Sequence, residues 1–207
     1  MKVTYLLIMT LVLFSSQKLQ WDENGWKNNP DEKKIWKYFY NKTGNKYAAA
    51  GMMGNLYDEC RFRSIDLENA SEKEDQKFTD KVNRNGGDLS VLLSTDYGYG
   101  LGQWTHPDRK KRFFNFAKDY FQEKGKTFNI GDVDMQLRFI WYELKTRSTN
   151  KSLKTKQRWS EATSIYDATK IIFKEYEIPA DLSSQHLDER VSFAQKAYEN
   201  YKAGRYS

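Results

Sequence analysis

Apolar residues recur along most of this chain at helical spacing, and six amphipathic helices follow from that pattern. Ile35, Tyr38 and Phe39 share a face in a segment that opens at Asn29-Pro30-Asp31 and is stopped by Gly44. A second helix, roughly Lys46 to Glu59, carries Ala49, Met52, Met53 and Leu56 at core spacing. Its glycines, Gly51 and Gly54, are poor helix formers, so they predict the close approach of another backbone. Thr105 and Pro107 begin a third, with Phe113, Phe116, Ala117, Tyr120 and Phe121 forming a wide stripe that ends at Gly125. The fourth runs from Asp132 to Lys145, with Val133, Leu137, Ile140, Trp141 and Leu144 on one face. Ser164 and Asp167 cap a fifth that carries Ile165, Ala168, Ile171 and Ile172. Leu187, Val191, Ala194, Tyr198 and Tyr201 mark the sixth.

Between the second and third helices the pattern breaks. Residues 64–95 are polar, with the turn signal Asn85-Gly86-Gly87-Asp88 and a short apolar burst, Val91-Leu92-Leu93. They are expected to form a small irregular or β insertion, or a lid. No internal repeat or low-complexity tract is present. The fold expected is therefore mainly α, one domain over residues 30–203.

The first residues belong to another class. Met1 to Ser16 start with Lys2, continue through a mostly apolar run from Tyr5 to Phe14 and then turn polar, a run too short to span a bilayer. They read as a signal peptide, followed by an extended lead-in over residues 17–29, and imply a secreted protein with no stable membrane anchor after cleavage. One cysteine in 207 residues excludes an internal disulfide, so the domain relies on its core, and Cys60 is expected to be buried. A net charge of +6 suits an anionic wall, membrane face or nucleic acid, but the cations are interleaved with acids and equally describe a solvated surface. His106 and His186 are too far apart to suggest a metal site, and no cofactor motif is found.

Two stretches carry candidate chemistry. Glu59 ends an apolar, small-residue helix, where burial and the helix dipole both disfavour a carboxylate and favour a general acid; the plain alternative is a solvated helix-end acid. Downstream, Tyr97-Gly98-Tyr99-Gly100-Leu101-Gly102-Gln103-Trp104 offers a flexible backbone at Gly98, Gly100 and Gly102. In it Tyr97, Tyr99, Gln103 and Trp104 are suited to stack on pyranose faces or bond acetamido groups, although a tight turn with Trp104 in the core fits as well. No Gly-Lys-Ser/Thr follows, which argues against a phosphate loop. For a second carboxylate, Asp96 ranks first and Glu143 second, Glu143 being equally suited to pair with Arg138. Asp58, adjacent to Glu59 on the helix, is expected to point elsewhere. The run Arg109-Lys110-Lys111-Arg112 reads as a solvated face or a contact for an anionic partner.

Four stretches in order, Ile35-Trp36-Lys37-Tyr38, Ala50-Gly51-Met52-Met53-Gly54-Asn55-Leu56-Tyr57-Asp58-Glu59, Gly98-Tyr99-Gly100-Leu101-Gly102-Gln103-Trp104 and Gln136-Leu137-Arg138-Phe139-Ile140-Trp141-Tyr142-Glu143-Leu144, resemble the phage tail lysozyme family. A late segment, Phe173 to Pro179 followed by Arg190 to Gln195, is similar to that family's closing helices. The resemblance implies a lysozyme-like helical fold and cleavage of the bond between N-acetylmuramic acid and N-acetylglucosamine in bacterial peptidoglycan. It implies a catalytic glutamate at the end of the Gly-Asn helix, which falls on Glu59. Asp96 is then expected to orient water, with Tyr97, Tyr99, Gly100, Gln103 and Trp104 lining the glycan groove of a monomer. The family more often has Ser after the glutamate; here Cys60 stands, a much weaker hydrogen-bond donor. Two other outcomes stay open at this point: a lytic transglycosylase, which needs no base, and a peptidoglycan-binding protein without turnover.

Overall fold

The computed structural model describes residues 29–146 and 149–207. The leader expected at 1–16 and nearly all of the lead-in over 17–29 lie outside the described residues. Among the described residues the chain forms nine α-helices and no strand. They are α1 (Glu32–Thr43), α2 (Lys46–Cys60), α3 (Glu72–Asn83), α4 (Leu89–Leu92), α5 (Pro107–Glu123), α6 (Val133–Thr146), α7 (Thr149–Ser160), α8 (Ile165–Ile172) and α9 (Ser184–Lys202). None of them is long and apolar enough to cross a membrane.

The six expected helices are α1, α2, α5, α6, α8 and α9. The central one is α2, whose residues from Ala48 to Tyr57 are all buried, as a helix apolar on every side must be. Asn45 caps it, its side chain accepting from the backbone N–H groups of Tyr47 and Ala48. Helices α1, α8 and α9 pack around it. Its two glycines meet the expectation of close approach. A Cβ on Gly51 would lie 2.7 Å from the Ala168 backbone, and one on Gly54 only 2.3 Å from the Arg190 carbonyl oxygen.

The insertion over 64–95 departs from expectation. Its β character is reduced to one antiparallel bridge between Leu67 and Tyr99, and half of it is α-helical, as α3 and α4. In α3 the buried residues are Asp75, Thr79 and Val82, with Phe78 half-buried against Tyr99, so two apolar residues among polar neighbours make too thin a stripe to betray the helix. The signal that does exist is the capping box of Ser71 and Glu74. Asp75 has no exposed surface; it accepts from the Leu67 backbone and pairs with Arg63, which pins the chain as it leaves α2. Helix α7 was hidden for the same reason: it is polar along most of its length, but the fully buried Trp159 donates to the Ala48 carbonyl of α2 at 2.9 Å.

Candidate functional site

Glu59 lies in the last turn of α2, its side chain 18% exposed, opposite Arg190 of α9, which is 1% exposed. The Arg190 fork donates through Nη2 to Glu59 Oε1 at 2.5 Å and through Nη1 to Asn55 Oδ1 at 3.1 Å. Its Nη2 also lies 3.0 Å from Asp58 Oδ2. Asp58 therefore does not point elsewhere. The guanidinium crosses the end of the helix, where two consecutive acids both reach it. Asn55 is fixed in turn, donating to Gly51 O at 2.8 Å and to Thr169 O at 3.2 Å. His186 Nε2 lies 2.9 Å from Asp58 Oδ2. Burial works to lower the His186 pKa, but its bonds to the Asp181 carbonyl and the Asp58 carboxylate outweigh it and raise the imidazole above its usual value.

After α8 the helix widens into a π turn over Phe173–Glu177, closed by the Ile178 N–H donating to Phe173 O at 3.0 Å. This turn delivers two groups to the site. The Tyr176 hydroxyl donates to Glu143 Oε2 at 3.0 Å. Glu143 also accepts from Trp104 Nε1 at 3.0 Å and from Arg109 at 3.1 and 2.8 Å, with 2% of its side chain exposed. Its partner is Arg109, not Arg138, whose guanidinium lies over the Tyr120 ring. So occupied, Glu143 holds the fold together and is unsuited to orient water. Glu177 differs: its Oε1 is buried and has no hydrogen-bond partner. Burial first, and the Glu59 charge second, push its pKa up to about 8 against the opposing pull of Arg109 and Arg190.

The glycine-rich loop divides into inside and outside. Tyr97 is 48% exposed, whereas Tyr99 and Trp104 have no exposed surface. Tyr99 shares a 2.8 Å hydrogen bond with Thr79, and Trp104 stacks on Phe113 with ring centroids 4.2 Å apart. Neither ring offers a face to a sugar, which corrects that expectation; the loop spends these two aromatics on the core. Gly100 is buried at φ +74°, and a Cβ there would lie 2.7 Å from Gln136 Oε1. Gln103, half-buried, donates to Asp66 Oδ2 at 3.0 Å and to Gly100 O at 3.1 Å. Burial raises the Asp66 pKa to about 6, with Arg63 the main opposing influence. Asp96 is exposed beside the loop, its charge within reach of Lys110.

Cys60 links these halves. It is buried, and its thiol donates to Leu56 O at 3.3 Å and contacts Leu101 O at 3.6 Å. Burial, then Asp66 and Glu59, push the thiol well above its usual pKa, so both acids lie within electrostatic reach of it. The basic run is only partly a solvated face, for Arg109 pairs with Glu143 and the buried Lys110 donates to Thr95 O at 2.6 Å. Arg190 and Glu177 lie in the late segment that resembles the family's closing helices, but that resemblance assigns them no role, and Asp66 carries no signal of periodicity or motif at all. Among the described residues no group of three His, Cys, Asp or Glu side chains is arranged to hold a metal ion.

The chain matches the phage tail lysozyme family over residues 30–201. No curated protein matches it.

Proposed function

The chain belongs to the phage tail lysozyme family, which suggests a peptidoglycan-lytic enzyme of the lysozyme-like kind, and on that premise we propose that it is a muramidase. The observation that carries this reading is Glu59: it is partly open to solvent, yet it stands on the most deeply buried helix and is fixed by Arg190. Arg190 holds the carboxyl in one place at the rim of the core, where a sugar ring can reach it, and what surrounds it is this ion pair, not the apolar setting expected from the sequence. In this reading Glu59 gives its proton to the oxygen between N-acetylmuramic acid and N-acetylglucosamine as the C–O bond breaks. Tyr97 and Gln103 meet the glycan, while Tyr99, Gly100 and Trp104 shape the loop that presents them.

Hydrolysis then needs a carboxylate to orient water from the opposite face of the ring, about 6.5–9.5 Å from the acid in an inverting enzyme. Asp96 is proposed for this from its place beside the loop. Asp66 is its competitor, supported by its raised pKa and by the thiol of Cys60 that both it and Glu59 influence. We also propose that Met1 to Ser16 direct the protein out of the cell, which N-terminal sequencing of secreted protein tests.

The decisive experiment is mass spectrometry of peptidoglycan digested by wild type, Glu59→Gln, Asp96→Asn and Asp66→Asn. Water-added reducing ends from wild type, absent from Glu59→Gln, support the muramidase, and the aspartate variant that loses them identifies the base. Anhydro ends would make the protein a lytic transglycosylase. No glycan products from folded wild type would leave a peptidoglycan-binding protein.

A further inference from the structure

A cleft of about 370 Å³, the size of a small-ligand site, opens between α1, α5 and α6. Its walls are aromatic: Tyr38 from α1, Phe116 and Tyr120 from α5 and Trp141 from α6, each packed against the core yet only partly buried. Three lysines converge on the Trp141 indole. Lys42 Nζ lies 5.8 Å from its ring centroid and 5.8 Å from that of Tyr38. Lys145 Nζ lies 5.6 Å from the indole, and Lys156 Nζ, from the neighbouring α7, 5.0 Å. The face of an indole attracts a cation, but three cations around one ring repel one another. None of the three makes an ion pair among the described residues. Arg138, over the Tyr120 ring, adds a further positive charge. The acids that line the cleft, Asp119 and Glu123, both come from α5, whereas the cations come from α1, α6 and α7.

This cleft stands apart from the Glu59 site. Trp141 and Glu143 are two positions apart on α6 and so leave the helix on nearly opposite sides, Glu143 toward Arg109 and Tyr176, Trp141 toward the cleft. We propose that the cleft is a second glycan site, taking a sugar that carries a carboxylate or a phosphate, and that it holds the protein on the wall polymer while Glu59 acts elsewhere on it. A partly open aromatic ring suits the apolar face of a pyranose. The lysine ammonium groups ride on flexible stems and close on the anion, whose charge offsets the repulsion among them. Asp119 and Glu123 accept hydrogen bonds from sugar hydroxyls. The inference rests on the reading that peptidoglycan is the polymer this protein meets, and it adds a place of attachment to the place of cleavage.

The test is cosedimentation of the full chain with purified peptidoglycan sacculi, in a Glu59→Gln background so that the polymer stays intact. Lys42→Ala/Lys145→Ala removes two exposed cations and leaves the aromatic packing in place, with folding checked by circular dichroism. Lys73→Ala/Lys77→Ala, on the exposed side of α3, lowers the net charge by the same amount and serves as the control. The apparent Kd is expected to rise about fivefold or more for the first pair and less than about twofold for the control. Equal losses in the two pairs, no loss in the first, or no binding by the parent overturns the site. Should the first pair not fold, Lys145→Gln is measured against Lys77→Gln, and the same order is required. Sacculi stripped of phosphate-linked polymers by cold hydrofluoric acid identify the anion. A loss that persists on them supports a carboxylate, and one that disappears supports a phosphate. A loss as large on neutral chitin beads overturns the acidic ligand. Lysine-dependent binding by a protein whose wild type digests no peptidoglycan removes the muramidase reading and leaves the cleft, whereas digestion with binding unchanged in the first pair removes the cleft alone.

Discussion

Glu143 and Glu177 are two acids within reach of the same arginine, Arg109, yet the fold treats them in opposite ways. Glu143 accepts from Trp104, Arg109 and Tyr176, so its desolvation is offset by charge-assisted hydrogen bonds. Glu177 is withdrawn from water at Oε1 with nothing to donate to it. The first arrangement ties the glycine-rich loop, α5, α6 and the π turn to one another. The second leaves a carboxyl whose proton is the cheapest way to lower its energy. Stability is thus concentrated on one side of Arg109 and titratable chemistry on the other.

The strongest way to break this contrast is to remove the satisfied acid. Glu143→Ala leaves Arg109 charged and nearly buried, and is expected to lower the unfolding free energy by about 3–5 kcal/mol, read from urea denaturation. The next test exploits pH. Below the ordinary glutamate pKa Glu177 is protonated in both states; above it the unfolded chain releases a proton that the folded chain keeps up to about pH 8. The Glu177 share of wild-type stability should therefore fall as pH rises from about 5 to 8, by at most about 1.4 kcal/mol per pH unit, alongside falls of the same sign from Asp66 and His186, and Glu177→Gln should remove that share of the slope. If Glu177→Gln keeps the full slope, the titrating group lies elsewhere.

Smaller changes sharpen the picture on the Glu143 side. Trp104→Phe keeps the stacking on Phe113 but removes one donor, and should cost about 1.5–3 kcal/mol in denaturant titration. Arg112, half-exposed and 4.0 Å from Glu143, lies outside the tight network. Arg112→Ala should shift stability by less than about 0.5 kcal/mol, and a larger loss would mean that Arg109 alone does not neutralise Glu143.

Much of this was legible in advance. Helices with a wide apolar stripe, such as α2 and α5, announce themselves because each must bury that stripe. Polar helices such as α3 and α7 do not, since each turns only a few side chains inward, Val82 in one case and Trp159 in the other. Glu59 stood out by its place at the end of a small-residue helix. The loop's aromatics stood out too, but their direction did not: Tyr97 faces solvent, while Tyr99 and Trp104, two and seven residues on, are interior.

The sequence by itself determined the helical class, the burial of α2, the close approaches at Gly51 and Gly54 and the family, because these rest on local periodicity, residue size and the order of motifs along one chain. Only the tertiary structure decided which charges meet. Arg190 is 131 positions from Glu59, and Trp104 and Glu143 are 39 apart, so no local pattern encodes these contacts. They follow from helix packing, in which α9 lies against Gly54 closely enough to bring a buried guanidinium across the end of α2.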